Sequence, residues 1–321
     1  MKIIYASDDN YFTYVAVSVS TLLKSNSQNP IEICYIHQDV TEEHLRLLSE
    51  IVEKRGMEIE LRQFDMPPVL EDLPAFAASK TTWAKFFFAS MFPDDDRVLF
   101  LDPDTLVLDD LSELFKLDMG GNLIAGVPEC LPAYHRRASK LSESDVYING
   151  GMVLCNLAQW RAEGFENRAV DRLHETKINL NYDQGVINEL CKGRVLRLDA
   201  RFCVLAEMFY LKSAERLSKR FGFKQYYSQS EINEAVENPA IVHFTGFLYL
   251  KPYSKNCTHP YAPLFWREAE ALALGFVANE SELNKKQRLR KHVLDTFPFR
   301  CFLALEWVFD FRRSYLLTKG K

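Results

Sequence analysis

Two aspartates separated by a single proline are the residues of this chain that point most clearly to chemistry. Asp102 and Asp104 directly follow the apolar run 97–101, which is typical of a buried strand. Two carboxylates at the tip of a strand are costly to bury without partners, but their oxygens suit a hard divalent cation. A cation held there can clamp a diphosphate and stabilise it as a leaving group. The alternative is a solvated turn, because Asp and Pro are common turn residues.

Polar side chains interrupt the apolar pattern at two further points. Asp8 and Asn10 follow the first predicted strand, where they can accept hydrogen bonds from a nucleobase or a ribose. The same residues also favour a capped turn into the next helix. Asn149 precedes Gly150 and Gly151, and paired glycines permit positive φ and close approach of a ligand to the backbone. A bulge or a tight turn is the simpler interpretation of that pair.

Asp183 and Gln184 precede a helical pattern at 186–191. They are either a polar pair facing a sugar or an ordinary helix cap. His243 ends an apolar run, and a neutral imidazole at a strand end can complete a carboxylate metal site, although a lone histidine is more often simply hydrogen-bonded. The ammonium of Lys251 can pair with a phosphate.

Strand and helix patterns alternate through the first half of the chain. This alternation predicts a mostly parallel sheet flanked by helices. In such sheets ligands bind beyond the carboxyl ends of the strands, so we expect Asp8 and Asp102 to face one crevice. The predicted strands are 2–6, 31–36, 58–61, 98–101 and 123–127, and the predicted helices are 15–23, 41–54 and 79–91. The last helix contains Lys85, which is interpreted as a solvated lysine beside a core tryptophan, Trp83.

The C-terminal part of the chain has a different character. The pattern weakens from about residue 253, and two amphipathic helices are predicted at 285–296 and 299–317. Residues 285–321 carry ten Lys/Arg and three Asp/Glu, whereas the rest carries 29 and 41. A basic, aromatic tail favours contact with an anionic surface, and packing on the main body is the alternative. We therefore divide the chain into a catalytic domain at 1–255 and a helical region at 256–321.

Composition limits the classes of function. The chain has 321 residues, 47% of them hydrophobic, and no apolar run approaches the roughly 18 residues of a membrane span. The first residues do not resemble a signal peptide. Seven cysteines without a C-x-x-C pair argue for reduced thiols in the cytoplasm. The acidic body argues against a nucleic-acid partner, and no glycine-rich dinucleotide or P-loop motif occurs.

Several segments, in this order and spacing, resemble the family 8 glycosyltransferases of bacterial lipopolysaccharide and capsule synthesis. The segments are ASDDNY, KTTWAKFFF, VLFLDPDTLV, INGGMVLCNLAQW, NYDQGVIN, and HFTG followed by KPY. The resemblance covers residues 1 to about 265. It implies a single GT-A fold, a mostly parallel α/β sheet flanked by helices and merged with an acceptor-binding part. The implied reaction is retaining transfer of a hexose, galactose or glucose, from a UDP-sugar to a saccharide or lipid-linked glycan.

The resemblance also implies a role for each candidate residue. The metal ligands are Asp102, Asp104 and His243, with Mn²⁺ as the expected ion and Mg²⁺ as the alternative. Ala6, Asp8 and Asn10 contact uridine, while Gly246 and Lys251 contact the diphosphate. Lys85, Asn149, Asp183 and Gln184 surround the donor sugar, with Gln184 or Asp183 as the catalytic group at the anomeric carbon. The tail is expected to hold the enzyme at the inner face of the cytoplasmic membrane.

Two features depart from the family pattern. Lys85 stands where relatives commonly carry Arg, so the charge is kept but a bidentate fork is lost. The run after His243 reaches Lys251 two residues later than usual and has no Pro after Gly246, so the role of Lys251 is less securely implied. A haloacid-dehalogenase-like phosphatase and a catalytically silent sugar-nucleotide or membrane-surface binding protein are the competing interpretations.

Overall fold

The computed structural model describes residues 1–70, 80–175, 182–224 and 226–319. Strands and helices alternate as the sequence predicts, because apolar runs of strand length separate the amphipathic segments. The strands are β1 Lys2–Asp8, β2 Glu32–Gln38, β3 Ile59–Gln63, β4 Arg97–Leu101, β5 Thr105–Val107, β6 Ile124–Gly126, β7 Met152–Asn156, β8 Val195–Arg197, β9 Val204–Leu205 and β10 Ile241–His243.

Seven of these strands form one sheet in the order β3-β2-β1-β4-β7-β6-β8. Within the described chain, β7 alone runs against its neighbours in this sheet. The chain moves outward from β1 through β2 to β3 and then returns to place β4 on the other side of β1. The order therefore reverses between β1 and β4, which is where open α/β sheets bind ligands.

A smaller sheet, in the order β5-β10-β9, lies beyond the carboxyl end of β4. Thr105 of β5 pairs with His243 of β10, and the backbone N–H of Phe244 donates to the carbonyl of Asp104 at 3.0 Å. The segment 102–104 thus connects the two sheets and lies directly beside the end of β10. This connection is what brings the Asp-Pro-Asp segment and His243 together.

Fourteen α-helices lie in the described part of the chain. They are α1 Phe12–Ser25, α2 Glu42–Glu53, α3 Phe88–Met91, α4 Ser112–Lys116, α5 Ala133–Ala138, α6 Leu157–Ala162, α7 Phe165–Glu175, α8 Tyr182–Leu190, α9 Ala206–Leu211, α10 Ala214–Phe221, α11 Gln229–Glu237, α12 Ala262–Ala271, α13 Lys285–Thr296 and α14 Phe299–Lys319. None is both long and apolar enough to cross a membrane.

The helix predicted at 79–91 is wrong in type for most of its length. Lys80–Phe87 is a 3₁₀ helix, and only Phe88–Met91 is α-helical; residue 79 lies outside the described residues. Threonine and aromatic side chains, which favour the α-helix weakly, dominate the segment. Its burial against the sheet therefore decides the local geometry.

The core lies on both faces of the large sheet. Along β1, Ile3 and Tyr5 pack on one face while Ile4 and Ala6 pack on the other, as the two-residue period of a strand requires. Both faces are apolar because helices cover each of them. A buried central strand of this kind holds the polar groups at its end in a fixed position.

Candidate active site

A cavity of about 580 Å³ lies at the reversal point of the large sheet. The end of β1, the segment after β4, the end of β10 and the loop after it all contribute to its wall. The crevice predicted between Asp8 and Asp102 is therefore confirmed. The lining residues are Ala6, Ser7, Asp8, Asn10, Tyr11, Thr81, Thr82, Asp102, Pro103, Asp104, Glu129, Leu131, Glu207, His243, Thr245 and Lys251.

Asp102, Asp104 and His243 converge on one point of this cavity. One potential ligand atom from each residue lies within 4.8 Å of the others. Nε2 of His243 is 3.2 Å from Oδ1 of Asp104 and 3.6 Å from Oδ2 of Asp102. Two carboxylates and an imidazole at these distances can hold a divalent cation without a change of the backbone.

Asn149 orients the imidazole of His243. Oδ1 of Asn149 accepts a hydrogen bond from the backbone N–H of Gly151 at 2.8 Å and lies 3.0 Å from Nδ1 of His243. The amide nitrogen of Asn149 donates to Glu129, so Oδ1 is the acceptor and Nδ1 of His243 carries the proton. Nε2 therefore faces the two aspartates, where it donates a proton to Asp104. A divalent cation bound between these residues would take the place of that proton.

The two glycines after Asn149 make room for side chains rather than for an unusual backbone. Neither Gly150 nor Gly151 has positive φ, so that part of the sequence interpretation is wrong. A β-carbon on Gly151 would lie 2.2 Å from Cε1 of His243 and 2.6 Å from Oδ2 of Asp102. The arrangement of Asp102 and His243 therefore requires glycine at position 151.

Cationic groups compensate the buried carboxylate of Asp104. Nζ of Lys251 is 2.5 Å from Oδ2 of Asp104. Burial would raise the pKa of Asp104, but Lys251 and His243 together lower it well below its ordinary value. Burial would likewise lower the pKa of His243, and Asp104 raises it instead. Asp104 is therefore ionised at neutral pH.

Lys85 is buried in a second charged contact behind the cavity wall. Its ammonium lies 2.6 Å from Oδ2 of Asp183 and 3.6 Å from Oδ1 of Asp102, and it donates to the carbonyl of Gly150 at 3.0 Å. The side chain is 6% exposed, so the interpretation as a solvated lysine is wrong. Burial opposes the charge, but Asp183 and Asp102 raise the pKa of Lys85.

Gln184 is tied to the same glycine pair. Its Oε1 accepts from the backbone N–H of Gly150 at 2.7 Å, and its Nε2 lies 3.3 Å from the hydroxyl of Tyr147. Both Asp183 and Gln184 lie in the first turn of α8, which begins earlier than the predicted 186–191. The carboxamide is thus held in one orientation beside the loop that precedes β7.

The residues predicted to contact uridine lie at the cavity, and two of them also form a turn. Ala6, Asp8 and Asn10 all line the cavity. Oδ1 of Asp8 also accepts from the backbone N–H of Asn10 at 3.1 Å, which caps the short 3₁₀ turn Asp9–Tyr11. The structural interpretation of these residues as a capped turn is therefore confirmed, and their oxygens still face the cavity.

The remaining predicted site residues differ in their access to the cavity. Lys85, Asn149, Asp183 and Gln184 are absent from its lining. Lys85 and Asn149 contact Asp102 and His243 of the wall, whereas Asp183 contacts Lys85 and Gln184 contacts Gly150. Gly246 has a φ of 99°, which glycine adopts readily, and it follows Thr245, which does line the cavity. Lys251 reaches the cavity despite the longer loop before it.

Sequence reasoning missed Glu207 and Thr245. Oγ1 of Thr245 donates to Oε2 of Glu207 at 3.2 Å. Burial and the nearby carboxylate of Glu129 raise the pKa of Glu207 to about 7. No local motif marks Glu207 in the sequence. It reaches the site because β9, which it follows, pairs with β10. Glu129 also lines the cavity and is buried against Asn149.

Comparisons with known proteins agree on one family. The family model described as glycosyl transferase family 8 matches residues 2–257. General stress protein A of Bacillus subtilis is 26% identical over 81% of this chain and 90% of its own length. Lipopolysaccharide 1,2-glucosyltransferase of Escherichia coli K12 is 23% identical over 81% of this chain and 75% of its own length.

Solved structures share the fold. The galactosyltransferase LgtC, solved with donor and acceptor sugar analogues, matches with a TM-score of 0.71 and 22% identity over 90% of this chain and 99% of LgtC. The glycosyltransferase GlyE of Streptococcus pneumoniae matches with a TM-score of 0.60 and 19% identity over 88% of this chain and 67% of that one. These likenesses identify the architecture of the large sheet and its helices.

Proposed function

Because this chain belongs to glycosyl transferase family 8 and has a GT-A fold, we propose that it transfers a hexose from a UDP-sugar with retention of configuration. The acceptor is a saccharide of a cell-surface glycan, as the lipopolysaccharide 1,2-glucosyltransferase relatives suggest. The observation that carries the proposal is the convergence of Asp102, Asp104 and His243 in a cavity at the reversal point of the sheet.

The donor set of this cluster fits a divalent cation. Two carboxylate oxygens and one imidazole nitrogen suit Mn²⁺ better than Mg²⁺, which prefers oxygen ligands alone. The tautomer of His243 that Asn149 selects supports this assignment. When bound, Mn²⁺ supplies electrostatic stabilisation of the diphosphate as UDP departs.

The chain's own residues bind and orient the donor. Asp8 and Asn10 offer oxygens to the uridine, with the backbone of Ala6 beside them. Lys251 exchanges its contact with Asp104 for the diphosphate, where its ammonium stabilises negative charge that develops on the leaving oxygen. Gly246 permits the loop backbone to approach the same phosphates.

The sugar lies nearest to the loop before β7 and the start of α8. Lys85 and Asp183 neutralise each other there and hold a fixed pair of polar groups toward the hexose hydroxyls, with Asn149 beside them. Gln184 is a poor nucleophile as a carboxamide, so its role is to stabilise an oxocarbenium-like state at the anomeric carbon. Asp183 is the alternative group for a double displacement, although Lys85 engages its carboxylate.

Membrane attachment and cytoplasmic location complete the proposal. Trp307, Val308 and Phe311 on α14 are 66%, 53% and 60% exposed, and Arg312 and Arg313 follow them in sequence. Aromatic side chains beside cations suit the interface of an anionic membrane. We propose that α14 holds the enzyme at the inner face of the cytoplasmic membrane.

The test is UDP release from UDP-glucose and from UDP-galactose with Mn²⁺, measured with a mixture of bacterial glycan acceptors and with water alone. Asp104→Asn should abolish turnover, because it removes a metal ligand and the partner of Lys251. Asp94→Asn, an exposed aspartate in the turn before β4, is the matched control and should retain full activity. Equal turnover by Asp104→Asn would contradict the metal role.

Two alternatives make different predictions. A catalytically silent sugar-nucleotide binding protein would bind UDP with Mn²⁺ but would release no UDP from UDP-glucose or UDP-galactose. The phosphatase alternative would release phosphate from a generic ester. It is disfavoured because the Asp-Pro-Asp segment follows β4 rather than the first strand and because the glycosyl transferase model spans residues 2–257.

A further inference from the structure

A second cavity adjoins the active site. It has a volume of about 270 Å³ and shares Leu131 and Glu207 with the wall of the first cavity. Helices α13 and α14 close it from the C-terminal side. We call it the basic cavity, and it is lined by Cys130, Leu131, Pro132, Tyr134, His135, Glu207, Arg220, Phe221, Phe247, Lys286, Arg290, Glu306, Phe309, Asp310 and Arg313.

Two of its four Lys/Arg cations are held by acidic partners. Arg220, whose side chain is 6% exposed, lies 2.5 Å from Glu306 and 2.7 Å from Asp310. Arg290 donates to both oxygens of Glu306, at 2.5 and 2.8 Å. Within the described residues, the buried Nε of Arg220 has no hydrogen-bond partner. The chain's own residues therefore leave one donor of this guanidinium unsatisfied.

The other two cations lack such partners. In the described part of the chain no acidic oxygen lies within 4.0 Å of Lys286 or Arg313, and Nζ of Lys286 lies 4.3 Å from the centre of the Phe309 ring. Burial and the charges of Arg290 and Arg313 lower the pKa of Lys286, and the opposing charges of Glu306 and Asp310 do not offset them. The four cations share the wall with Glu306, Asp310 and Glu207, and a pKa of about 7 leaves Glu207 only partly ionised at neutral pH. The wall therefore carries excess positive charge that an anion would neutralise.

We propose that the basic cavity binds an anionic group, a phosphate or a carboxylate, carried by the acceptor saccharide. The shared wall at Leu131 and Glu207 allows one saccharide to place its charge in the basic cavity and a neighbouring hydroxyl in the active site. Guanidinium and ammonium groups are the usual ligands of such anions. This inference rests on the proposed function, because it assumes that an acceptor occupies the adjoining cavity.

The experiment is calorimetric titration of the full chain after saturation with UDP and Mn²⁺, which keeps sugar phosphates out of the donor site. The probes are glucose 6-phosphate, glucuronate and neutral glucose. We expect at least one anionic sugar to bind about tenfold or more tightly than glucose, since a charge-assisted hydrogen bond is worth that much. The phosphate and carboxylate probes distinguish the two anion types.

Lys286→Gln/Arg313→Gln should remove this preference and leave UDP affinity unchanged. Both side chains are largely exposed, so the variant keeps its fold. Lys285→Gln/Arg312→Gln changes the adjacent exposed cations of the same helices by the same charge and is the matched control. It should keep the preference, which separates binding in the cavity from a general effect of net charge.

Four results would overturn the inference. Equal binding of all three sugars to a chain that binds UDP overturns the anion site and leaves the proposed function intact. If both double variants lose the preference for anionic sugars equally, the binding comes from a diffuse basic surface. The same conclusion follows if Lys286→Gln/Arg313→Gln loses only its binding to phosphatidylglycerol vesicles. Failure to bind UDP with Mn²⁺ overturns the proposed function, and the acceptor assignment falls with it.

Discussion

A β-carbon at residue 151 would overlap both His243 and Asp102, because glycine allows their side chains to pass directly over its backbone. Gly151→Ala should therefore displace two of the three proposed metal ligands. Changes to the residues that orient metal ligands typically weaken binding by about 10- to 100-fold, and we expect a loss of at least that size. Titration with Mn²⁺ followed by electron paramagnetic resonance measures it directly.

Gly121→Ala is the control for this substitution. The β-carbon added there meets only the end of the flexible Arg194 side chain, at 3.7 Å. Its Mn²⁺ affinity should equal that of the unchanged protein. Unchanged affinity in Gly151→Ala, with a native circular dichroism spectrum, would contradict the metal site.

Glu207 makes stability depend on pH. Burial and Glu129 raise its pKa from 4.5 to about 7 in the folded chain. The folded state therefore binds this proton more tightly than the unfolded state does. The resulting stabilisation is fully present below about pH 4.5 and is lost as the pH rises through about 7.

Glu207→Gln should abolish this loss, because the amide stays neutral and still accepts from Thr245. Between pH 4.5 and 8 the unfolding free energy of the unchanged protein should fall by up to about 3 kcal/mol relative to the variant. Urea unfolding at several pH values measures the difference. Glu237→Gln, at the exposed end of α11, is the control, and its unfolding free energy should depend on pH as that of the unchanged protein does. If the unfolding free energy of Glu207→Gln had that same pH dependence, the raised pKa of Glu207 would be refuted.

The sequence predicts individual site residues only where a local pattern marks them. Asp8, Asp102 and His243 stand at the ends of apolar runs, so the rule for strand ends finds them. Lys85 and Asp183 are 98 positions apart in sequence, and no periodicity predicts their contact. The position of Glu207 depends likewise on the pairing of β9 with β10, which is a property of the fold.

At the scale of elements, α14 combines two surfaces with different tasks. Phe302 is fully buried and Glu306 is 2% exposed, so this side of the helix packs on α10 and α13. Trp307 and Phe311 stack on each other at 5.5 Å on the exposed side. The helix therefore packs on the rest of the chain, which was the alternative to membrane contact, and also exposes an aromatic surface.

These two surfaces should respond differently to substitution. Phe302→Ala should destabilise the chain by about 3 to 5 kcal/mol, because it leaves a cavity in a packed site. Trp307→Ser/Phe311→Ser should change stability by less than about 0.5 kcal/mol but weaken binding to anionic vesicles. Urea unfolding and vesicle sedimentation measure the two effects. Full vesicle binding by the double variant would refute membrane attachment through this surface.

Helices and strands with a clear period are predicted well, and the 3₁₀ segment is not. The apolar spacing of α1 and α2 identifies them within a few residues. Lys80–Phe87 has helical spacing as well, but an i+3 pattern does not distinguish a 3₁₀ helix from an α-helix. The tertiary contacts of this segment decide between the two geometries, so its type lies beyond a reading of the local sequence.

At the scale of the whole molecule, the site joins the two sheets. Asp102 follows a strand of the large sheet, whereas Asp104 precedes β5 and His243 ends β10 in the small one. A ligand that contacts all three residues therefore bridges the two sheets. It can do so only in the folded state, because unfolding separates these residues. Binding energy gained there adds directly to the free energy of unfolding.

UDP and Mn²⁺ together should consequently stabilise the chain more than either ligand alone. A ligand at about a hundred times its dissociation constant adds about 2.7 kcal/mol, which raises the melting temperature of a chain of this size by several degrees. Calorimetric melting with UDP, with Mn²⁺ and with both measures the synergy. Asp104→Asn should remove it, whereas Asp94→Asn should preserve it, because Asp94 lies in an exposed turn away from the cavity. If the rise in melting temperature with both ligands equals the sum of the two separate rises, UDP and Mn²⁺ bind independently. Their proposed coupling through Asp104 and Lys251 would then be wrong.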